Sequence, residues 1–253
     1  MKGRLISVRQ TWAAVLALLL ASVLCCGLVV VRKLYAGKTG FGLLIWNLFL
    51  AWVPLWAALL CYGLAARRSR RWLVLLGAAV VWFLFFPNAP YIVTDLVHLH
   101  PREPVPYWYD IICVTAFVQT GLFVGYLSLY LMQEVVRAWL GRWAGWGFAL
   151  AMLGLSSFGI YLGRFLRWNS WDALLDPLDT LRHAAHVANP WNSTQPLAFS
   201  ATFFAFSLVC YLIVYSFTHL HGWVQPKAPP PCPEESAPLS AGSGRGGSSP
   251  PRA

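Results

Sequence analysis

Charge is what this sequence has least of. Only 11% of its 253 residues are charged, whereas 58% are hydrophobic. A soluble domain usually carries about 25% charged residues, so this chain has too few charges to cover a surface that faces water. The shortage of charge, together with long apolar runs, excludes an ordinary soluble protein and predicts a multi-pass membrane protein.

Several motifs that announce a particular chemistry are also absent. The sequence has no HExxH, no glycine-rich phosphate loop and no GxSxG. Its six cysteines include no CxxC pair, so neither a zinc ribbon nor a redox pair is indicated. We therefore predict no metal and no cofactor. The net charge of +10 comes from basic residues at the ends of apolar runs, as in membrane proteins, and we predict no nucleic-acid partner.

Six apolar segments predict the architecture. A helix needs about 20 residues to cross the hydrocarbon, and most of the segments reach that length. We predict an all-α polytopic transmembrane helix bundle over residues 1–220, with short interfacial helices in two extracytoplasmic loops. Residues 221–253 are rich in proline, glycine and serine, which predicts a disordered cytoplasmic tail. The predicted spans are 11–31, 41–64, 72–86, 111–132, 146–165 and 197–217.

The distribution of basic residues predicts the orientation. The loop "RRSRR" at 67–71 is the densest basic segment and is expected in the cytoplasm. Loop 133–145 and both termini are then also cytoplasmic, and loops 87–110 and 164–196 lie on the outer side. Most carboxylates and histidines fall in these two outer loops: Asp95, Glu103, Asp110, Asp172, Asp176, Asp179, His98, His100, His183 and His186.

A first polar motif, "FFPNAPYIVTDLVHLH", follows the third span. Its prolines are expected to end the helix at about Phe86, because proline lacks a backbone donor and biases the preceding residue away from helix. Asn88 can satisfy backbone groups in the turn. An α-helix restarting at Pro90 would place Tyr91, Asp95 and His98 on one face, and Ile92, Leu96 and Leu99 on the other.

A second polar motif, "SSFGIYLGRFLRWNSWD", closes the fifth span. Ser156, Gly159 and Gly163 follow roughly helical spacing, which favours close packing between helices. Arg164 and Arg167 have two interpretations. Either they extend to lipid headgroups, or one of them pairs with a buried Asp95, because an isolated buried carboxylate is costly. In the second case Asn169 and Asp172 would complete a hydrogen-bonded network, which is either a structural clamp or a binding site.

A third segment, "DPLDTLRHAAHVANP", has the pattern of a helix start. Asp179, His183 and His186 share a face at helical spacing, and histidine with carboxylate suits zinc. Because helix capping explains the acids, we predict no metal there. Asn47 and Gln119 are the notable polar residues within the spans and are candidates for hydrogen bonds between helices.

At "FFPNAPYIVTDLVHL" and "FGIYLGRFLRWNSWD" the chain resembles a family of bacterial multi-pass membrane proteins, domain of unknown function family 1361. The resemblance covers roughly residues 41–217. It implies a protein of the bacterial cytoplasmic membrane, and it brings no established activity.

Taken together, the motifs predict a polar site on the extracytoplasmic face. One hypothesis is an enzyme or binder of an anionic lipid-linked or envelope substrate, with the bilayer and anionic phospholipids as partners. A second is a small-solute transporter that uses the broken third helix, although no span carries a charged residue at mid-membrane. A third is an assembly protein whose network serves only packing. The residues proposed for proton transfer are Asp95 and His98, and those proposed for substrate binding are Asn88, Tyr91, Thr94, Arg164, Arg167, Asn169 and Asp172.

Overall fold

The structure, a computed structural model, describes residues 8–37, 41–67, 71–101, 103–165 and 194–224. This part of the chain is helical, as predicted. Its elements are α1 (Val8–Ala36), α2 (Gly42–Ala66), α3 (Trp72–Phe85), α4 (Asn88–Tyr91), a 3-10 helix (Ile92–His98), α5 (Tyr107–Leu140), α6 (Arg142–Phe165) and α7 (Gln195–Val224).

Six helical segments of the described chain are long and apolar enough to cross a membrane. Five correspond to α1, α2, α5, α6 and α7, and the remaining one runs from Trp72 to Val97 through α3, α4 and most of the 3-10 helix. The predicted all-α bundle of about six spans is thereby confirmed.

Successive spans run in opposite directions. In the first hairpin, the Trp52 indole on α2 bonds to Ser22 in the middle of α1, while Phe41 at the start of α2 lies over the side chain of Arg32 near the end of α1. The same alternation continues to α6 and α7, where Tyr161 packs on Phe199. Consequently the last turns of α1 and α6 lie at the same end of the bundle as the first turns of α2 and α5.

Helix α5 lies at the centre of the bundle. It packs against α1, α2, α4, the 3-10 helix and α6. Its 34 residues extend for about 51 Å at 1.5 Å per residue, well beyond a hydrocarbon core of about 30 Å. Because α5 is surrounded by these elements, many of its side chains are buried, including the polar Gln133 and Ser128.

The cytoplasmic loop predicted over 133–145 is almost entirely helical. α5 continues to Leu140 and α6 begins at Arg142, so Gly141 alone separates them. Gly141 has φ +94°, a left-handed conformation that glycine adopts without steric cost. Gln133, placed in this loop by its polarity, is buried inside α5 and accepts a hydrogen bond from the Tyr211 hydroxyl of α7.

The α-helix of the third span is interrupted where its prolines predict. α3 ends at Phe85, and helical turns resume at Asn88, two residues earlier than expected. The Asn88 amide donates to the carbonyl of Phe85 at 3.2 Å, which confirms its predicted role in the turn. α4 and the 3-10 helix are the short helices expected after the third span. The second outer loop, 166–193, lies outside the described residues.

Two glycines of α5 allow the interrupted span to approach closely. A Cβ atom at Gly125 would lie 2.6 Å from the Cβ of Ala89, and one at Gly121 would lie 3.1 Å from the side chain of Ile92. These glycines form a GxxxG pair, a motif of close helix packing in membranes. Of the small residues predicted for this purpose on α6, Ser156 is buried, whereas a Cβ at Gly159 would have no neighbour within 4 Å.

The predicted boundary between bundle and tail lies at residues 220 and 221, whereas α7 continues to Val224. The segment 225–253 lies outside the described residues, so its predicted disorder stays a prediction.

Candidate functional site

Polar side chains gather at one end of the bundle, which we call the polar end. It comprises the last turns of α1 and α6, the first turns of α2 and α5, and the 3-10 helix, and it carries Arg32, Asn47, Asp95, Asp110 and Arg164. Both acids are buried: Asp95 is 6% exposed and Asp110 is 0% exposed. Because a buried carboxylate is costly without a partner, the environment of each acid identifies what the polar end can do.

Asp95 is held by an amide from another helix. The Nδ2 atom of Asn47 on α2 donates a hydrogen bond to Asp95 Oδ2 at 2.7 Å. This confirms the prediction that Asn47 bonds between helices, whereas Gln119 has an exposed side chain. The bond fixes the 3-10 helix to the first turns of α2, and it supplies a donor to a carboxylate that is shielded from water.

The 3-10 geometry changes the predicted face of Asp95. At three residues per turn, Ile92 and Asp95 lie one turn apart on the same face, and Ile92 is fully buried against Gly121. Leu96, predicted on the apolar face opposite Asp95, is 40% exposed. The prediction of two opposed faces was wrong because it assumed α-helical spacing of 3.6 residues per turn.

The neighbours of Asp95 in the motif are placed by local hydrogen bonds. The Thr94 hydroxyl donates to the carbonyl of Tyr91 at 2.7 Å, so it is occupied in stabilising the 3-10 turn. The Tyr91 side chain is half-buried. His98 ends the 3-10 helix, and its side chain lies outside the described part of the structure.

The best-defined contact of the polar end was missed by the sequence analysis. Arg32 Nε lies 2.7 Å from Asp110 Oδ1, and its Nη2 lies 2.9 Å from Oδ2. This is the bidentate arrangement of guanidinium and carboxylate, in which two parallel hydrogen bonds add to the charge attraction. Arg32 also stacks over the ring of Phe41, 4.3 Å from its centroid. The pair therefore joins α1 directly to α5 beside the start of α2.

Sequence position concealed this pair. Arg32 was interpreted as a charge flanking the first span, and Asp110 was assigned to a loop. In the structure α1 continues to Ala36 and α5 begins at Tyr107, so both residues lie within helices. A usable signal was present, because Arg32 is followed by the apolar Leu34 and Tyr35 and Asp110 is followed directly by an apolar run. Charges inside an apolar segment usually face a partner.

The remaining predicted residues are distributed as follows. Arg164 lies in the last turn of α6, at the polar end, and is half-buried. Arg167, Asn169, Asp172, His183 and His186 lie outside the described residues, so the predicted pairing of Asp95 with an arginine of this motif stays a prediction. Among the described residues, no group of three or more histidine, cysteine or acidic side chains is arranged to hold a metal ion.

In chemical terms, the polar end offers two different carboxylates. Asp110 has both oxygens engaged by one guanidinium, which suits a permanent structural contact. Asp95 receives a neutral amide, on a segment whose backbone departs from the α-helix. A carboxylate in that setting can accept a hydrogen bond or a proton from a ligand hydroxyl or amine.

The fold and the polar end define a multi-pass helical membrane protein. Residues 46–213, well over half of the chain, match the model of the family described as "Protein of unknown function (DUF1361)", and the chain belongs to that family. The match confirms the resemblance found in the two motifs. No curated protein and no solved structure matches the chain.

Proposed function

We propose that the polar end binds the polar headgroup of an anionic membrane lipid or lipid-linked substrate. The observation that supports this most directly is Asp95, a carboxylate 6% exposed that is bonded to Asn47 on an interruption of a membrane span. Irregular backbone within the membrane is tolerated where protein or water covers it, and it often marks a binding site.

A purely structural role explains Asp95 less well than it explains Asp110. The bundle already has a fully paired charge contact at this end, between Arg32 and Asp110. Asp95 adds a second buried acid on a 3-10 turn, where an apolar residue would pack at lower cost. A ligand group that bonds to the carboxylate would offset that cost.

The other half of the proposed site is cationic. Arg164, in the last turn of α6, lies at the same end of the bundle, and α4 packs against α6. A guanidinium is suited to phosphate because its fork of donors matches the phosphate oxygens. We propose that Arg164 receives the anionic group and that Asp95 receives a hydroxyl or amine of the same headgroup. Any processing of the lipid would use Asp95 and His98 for proton transfer, and the full proposed set is Asn88, Tyr91, Thr94, Asp95, His98, Arg164, Arg167, Asn169 and Asp172.

The test uses two variants that keep side-chain shape, Asp95→Asn and Arg164→Gln. Matched controls are Glu134→Gln and Arg142→Gln, an acid and a base at the opposite end of the bundle. Each protein is purified in mild detergent, its copurified lipids are quantified, and its melting temperature is measured. We expect the two polar-end variants to melt close to wild type and to lose a specific lipid class that the controls retain.

A second candidate is supported by one contact. The bond from Asn47 to Asp95 joins α2 to the 3-10 helix, as a packing contact would. Under this alternative Asp95→Asn lowers the melting temperature and leaves the lipid composition unchanged. If Asp95→Asn and Arg164→Gln both melt like wild type and retain the same lipids, the proposed site is wrong.

A further inference from the structure

An open apolar groove lies on the outside of the bundle between α1, α2 and α3, with a volume of about 720 Å³. Its floor is a strip of α2 from Phe49 to Leu60, and its walls are Leu19 of α1 and residues 74–81 of α3. Every lining residue is apolar, and all of them lie within candidate membrane spans. The groove therefore faces the hydrocarbon of the bilayer, away from the polar end's Asn47 and Asp95.

The floor of the groove is fixed by its own contacts. The indole Nε1 of Trp52 donates to Ser22 Oγ at 3.0 Å, and that hydroxyl in turn donates to the carbonyl of Leu18 at 2.9 Å. Trp52 also stacks on Trp56, with 5.6 Å between the ring centroids. The groove is thus formed before any ligand enters, which lowers the entropic cost of binding.

The dimensions of the groove favour a hydrocarbon chain. From Phe49 to Leu60 the floor extends for about 16 Å at 1.5 Å per residue, close to half of a hydrocarbon core about 30 Å thick. This length is close to that of one acyl chain, which extends through about half of the core. An additional transmembrane helix would instead need contacts along the whole thickness of the membrane.

Positive charge lies at one mouth of the groove. Arg71 precedes the wall residue Val74 by about one helical turn, and Arg67 follows the floor residue Leu60 by about two. Both arginines have exposed side chains. Basic residues at the membrane surface attract anionic headgroups. An apolar groove about as long as one acyl chain, with two exposed arginines one to two helical turns beyond it, is complementary to an anionic phospholipid.

We propose that this groove binds one acyl chain of an anionic phospholipid whose phosphate contacts Arg67 and Arg71. The site is distinct from the polar end, because its two arginines lie at the opposite end of the bundle and its residues are not among those of the polar end. The bound lipid would fill the space between α1 and α3.

The experiment is native mass spectrometry of the full chain in mild detergent. The protein is titrated with phosphatidylglycerol or with phosphatidylcholine of identical acyl chains, and the affinity for the first bound lipid is measured. We expect phosphatidylglycerol to bind more tightly by about tenfold or more, since two arginines contact the anionic headgroup. Equal affinities for the two lipids would overturn the proposal.

Two variants separate the contributions of the chain and the headgroup. Gly77→Leu places a side chain in the groove, where a Cβ atom has no neighbour within 4 Å, and should weaken the binding of both lipids. The double variant Arg67→Gln/Arg71→Gln should lower the affinity for phosphatidylglycerol to that for phosphatidylcholine. Because this double variant leaves the groove unchanged, it tests the headgroup contact even if Gly77→Leu fails to fold.

Matched controls exist for both variants. Gly27→Leu changes an exposed glycine of α1 that also has no neighbour within 4 Å and does not line the groove. Arg142→Gln removes an exposed arginine at the same end of the bundle. Both should bind lipid like wild type. Wild-type lipid binding by Gly77→Leu would overturn the proposal. A wild-type dimer that Gly77→Leu abolishes would also overturn it, because the groove would then bind a second copy of the chain.

Discussion

Arg32 and Asp110 are 78 residues apart in the sequence and form a bidentate ion pair at the polar end, with donor–acceptor distances of 2.7 and 2.9 Å. Their side chains are 5% and 1% exposed, so water screens the pair very little. A buried pair of this kind contributes little relative to apolar residues of the same size, but the loss of one partner leaves a buried charge uncompensated. The ion pair therefore supports the contact between α1 and α5 only while both residues are present.

The first prediction concerns this pair. Asp110→Asn should lower the free energy of unfolding by about 3–5 kcal/mol, because Arg32 stays buried without its counter-charge. Thermal unfolding in detergent measures the change. The control is Glu134→Gln, which removes the acid of a pair with Arg137 whose arginine side chain is 39% exposed. That change should cost about 1 kcal/mol or less. Similar losses of stability in Asp110→Asn and Glu134→Gln would contradict the prediction. The double variant Arg32→Met/Asp110→Leu should be more stable than Asp110→Asn alone, because it leaves no buried charge without a partner.

The second prediction concerns the bond between Asn47 and Asp95. Asn47→Ala should lower the free energy of unfolding by about 1–3 kcal/mol, since it removes a donor from a carboxylate that stays buried. Gln119→Ala is the control, because the Gln119 side chain is exposed on α5. A double-mutant cycle of Asn47→Ala with Asp95→Ala, each of which removes the bond, measures the coupling directly. Additive effects would show that the bond does not stabilise the fold.

The third prediction concerns the close approach of α5 to α4. Gly125→Ala should be destabilising by about 1–3 kcal/mol, because the new methyl group would lie 2.6 Å from the Cβ of Ala89. Gly27→Ala is matched to it as a glycine within a helix, but its Cβ has no neighbour within 4 Å, so it should be neutral or stabilising by up to about 1 kcal/mol. The decisive measurement is the rescue: Ala89→Gly in the Gly125→Ala background should restore the melting temperature. Without that rescue, the contact is not the cause.

The fourth prediction concerns the attachment of α7. The Tyr211 hydroxyl donates to Gln133 of α5, and both residues are buried. Tyr211→Phe should cost about 1 kcal/mol, the usual size of a hydrogen bond between helices in a membrane. Tyr35→Phe, at an exposed position of α1, should leave the melting temperature unchanged. A wild-type melting temperature for Tyr211→Phe would mean that this hydrogen bond does not stabilise the attachment of α7.

The bundle was predictable from the sequence because membrane spans depend on composition over many residues. The helical structure of segment 133–145 was not predictable. Gln133 is buried there because it accepts a hydrogen bond from Tyr211, and local sequence does not reveal that tertiary partner. The spacing of the polar motif failed for a related reason. A 3-10 helix and an α-helix have similar sequences, so the sequence does not distinguish them. In the structure, the tighter 3-10 turn is accompanied by the packing of Ile92 against Gly121.

The candidate site was predictable only in part. The sequence placed Asp95 at the end of a broken span and marked Asn47 as a polar residue between helices, and the structure brings the two together. It did not pair Arg32 with Asp110, because charges near the ends of spans are usually solvated by headgroups. The spatial register of α1 against α5 decides that pairing, and it arises from packing along both helices.

The contact between Ala89 and Gly125 has a consequence for how Asp95 could move. In alternating access, a gating element must rock relative to a fixed scaffold. Here Ala89, in the same interrupted span as Asp95, meets α5 at Gly125 with no space for one further methyl group, and α5 in turn packs against α1 and α6. A rocking of the interrupted span against α5 would therefore have to open the contact between Ala89 and Gly125.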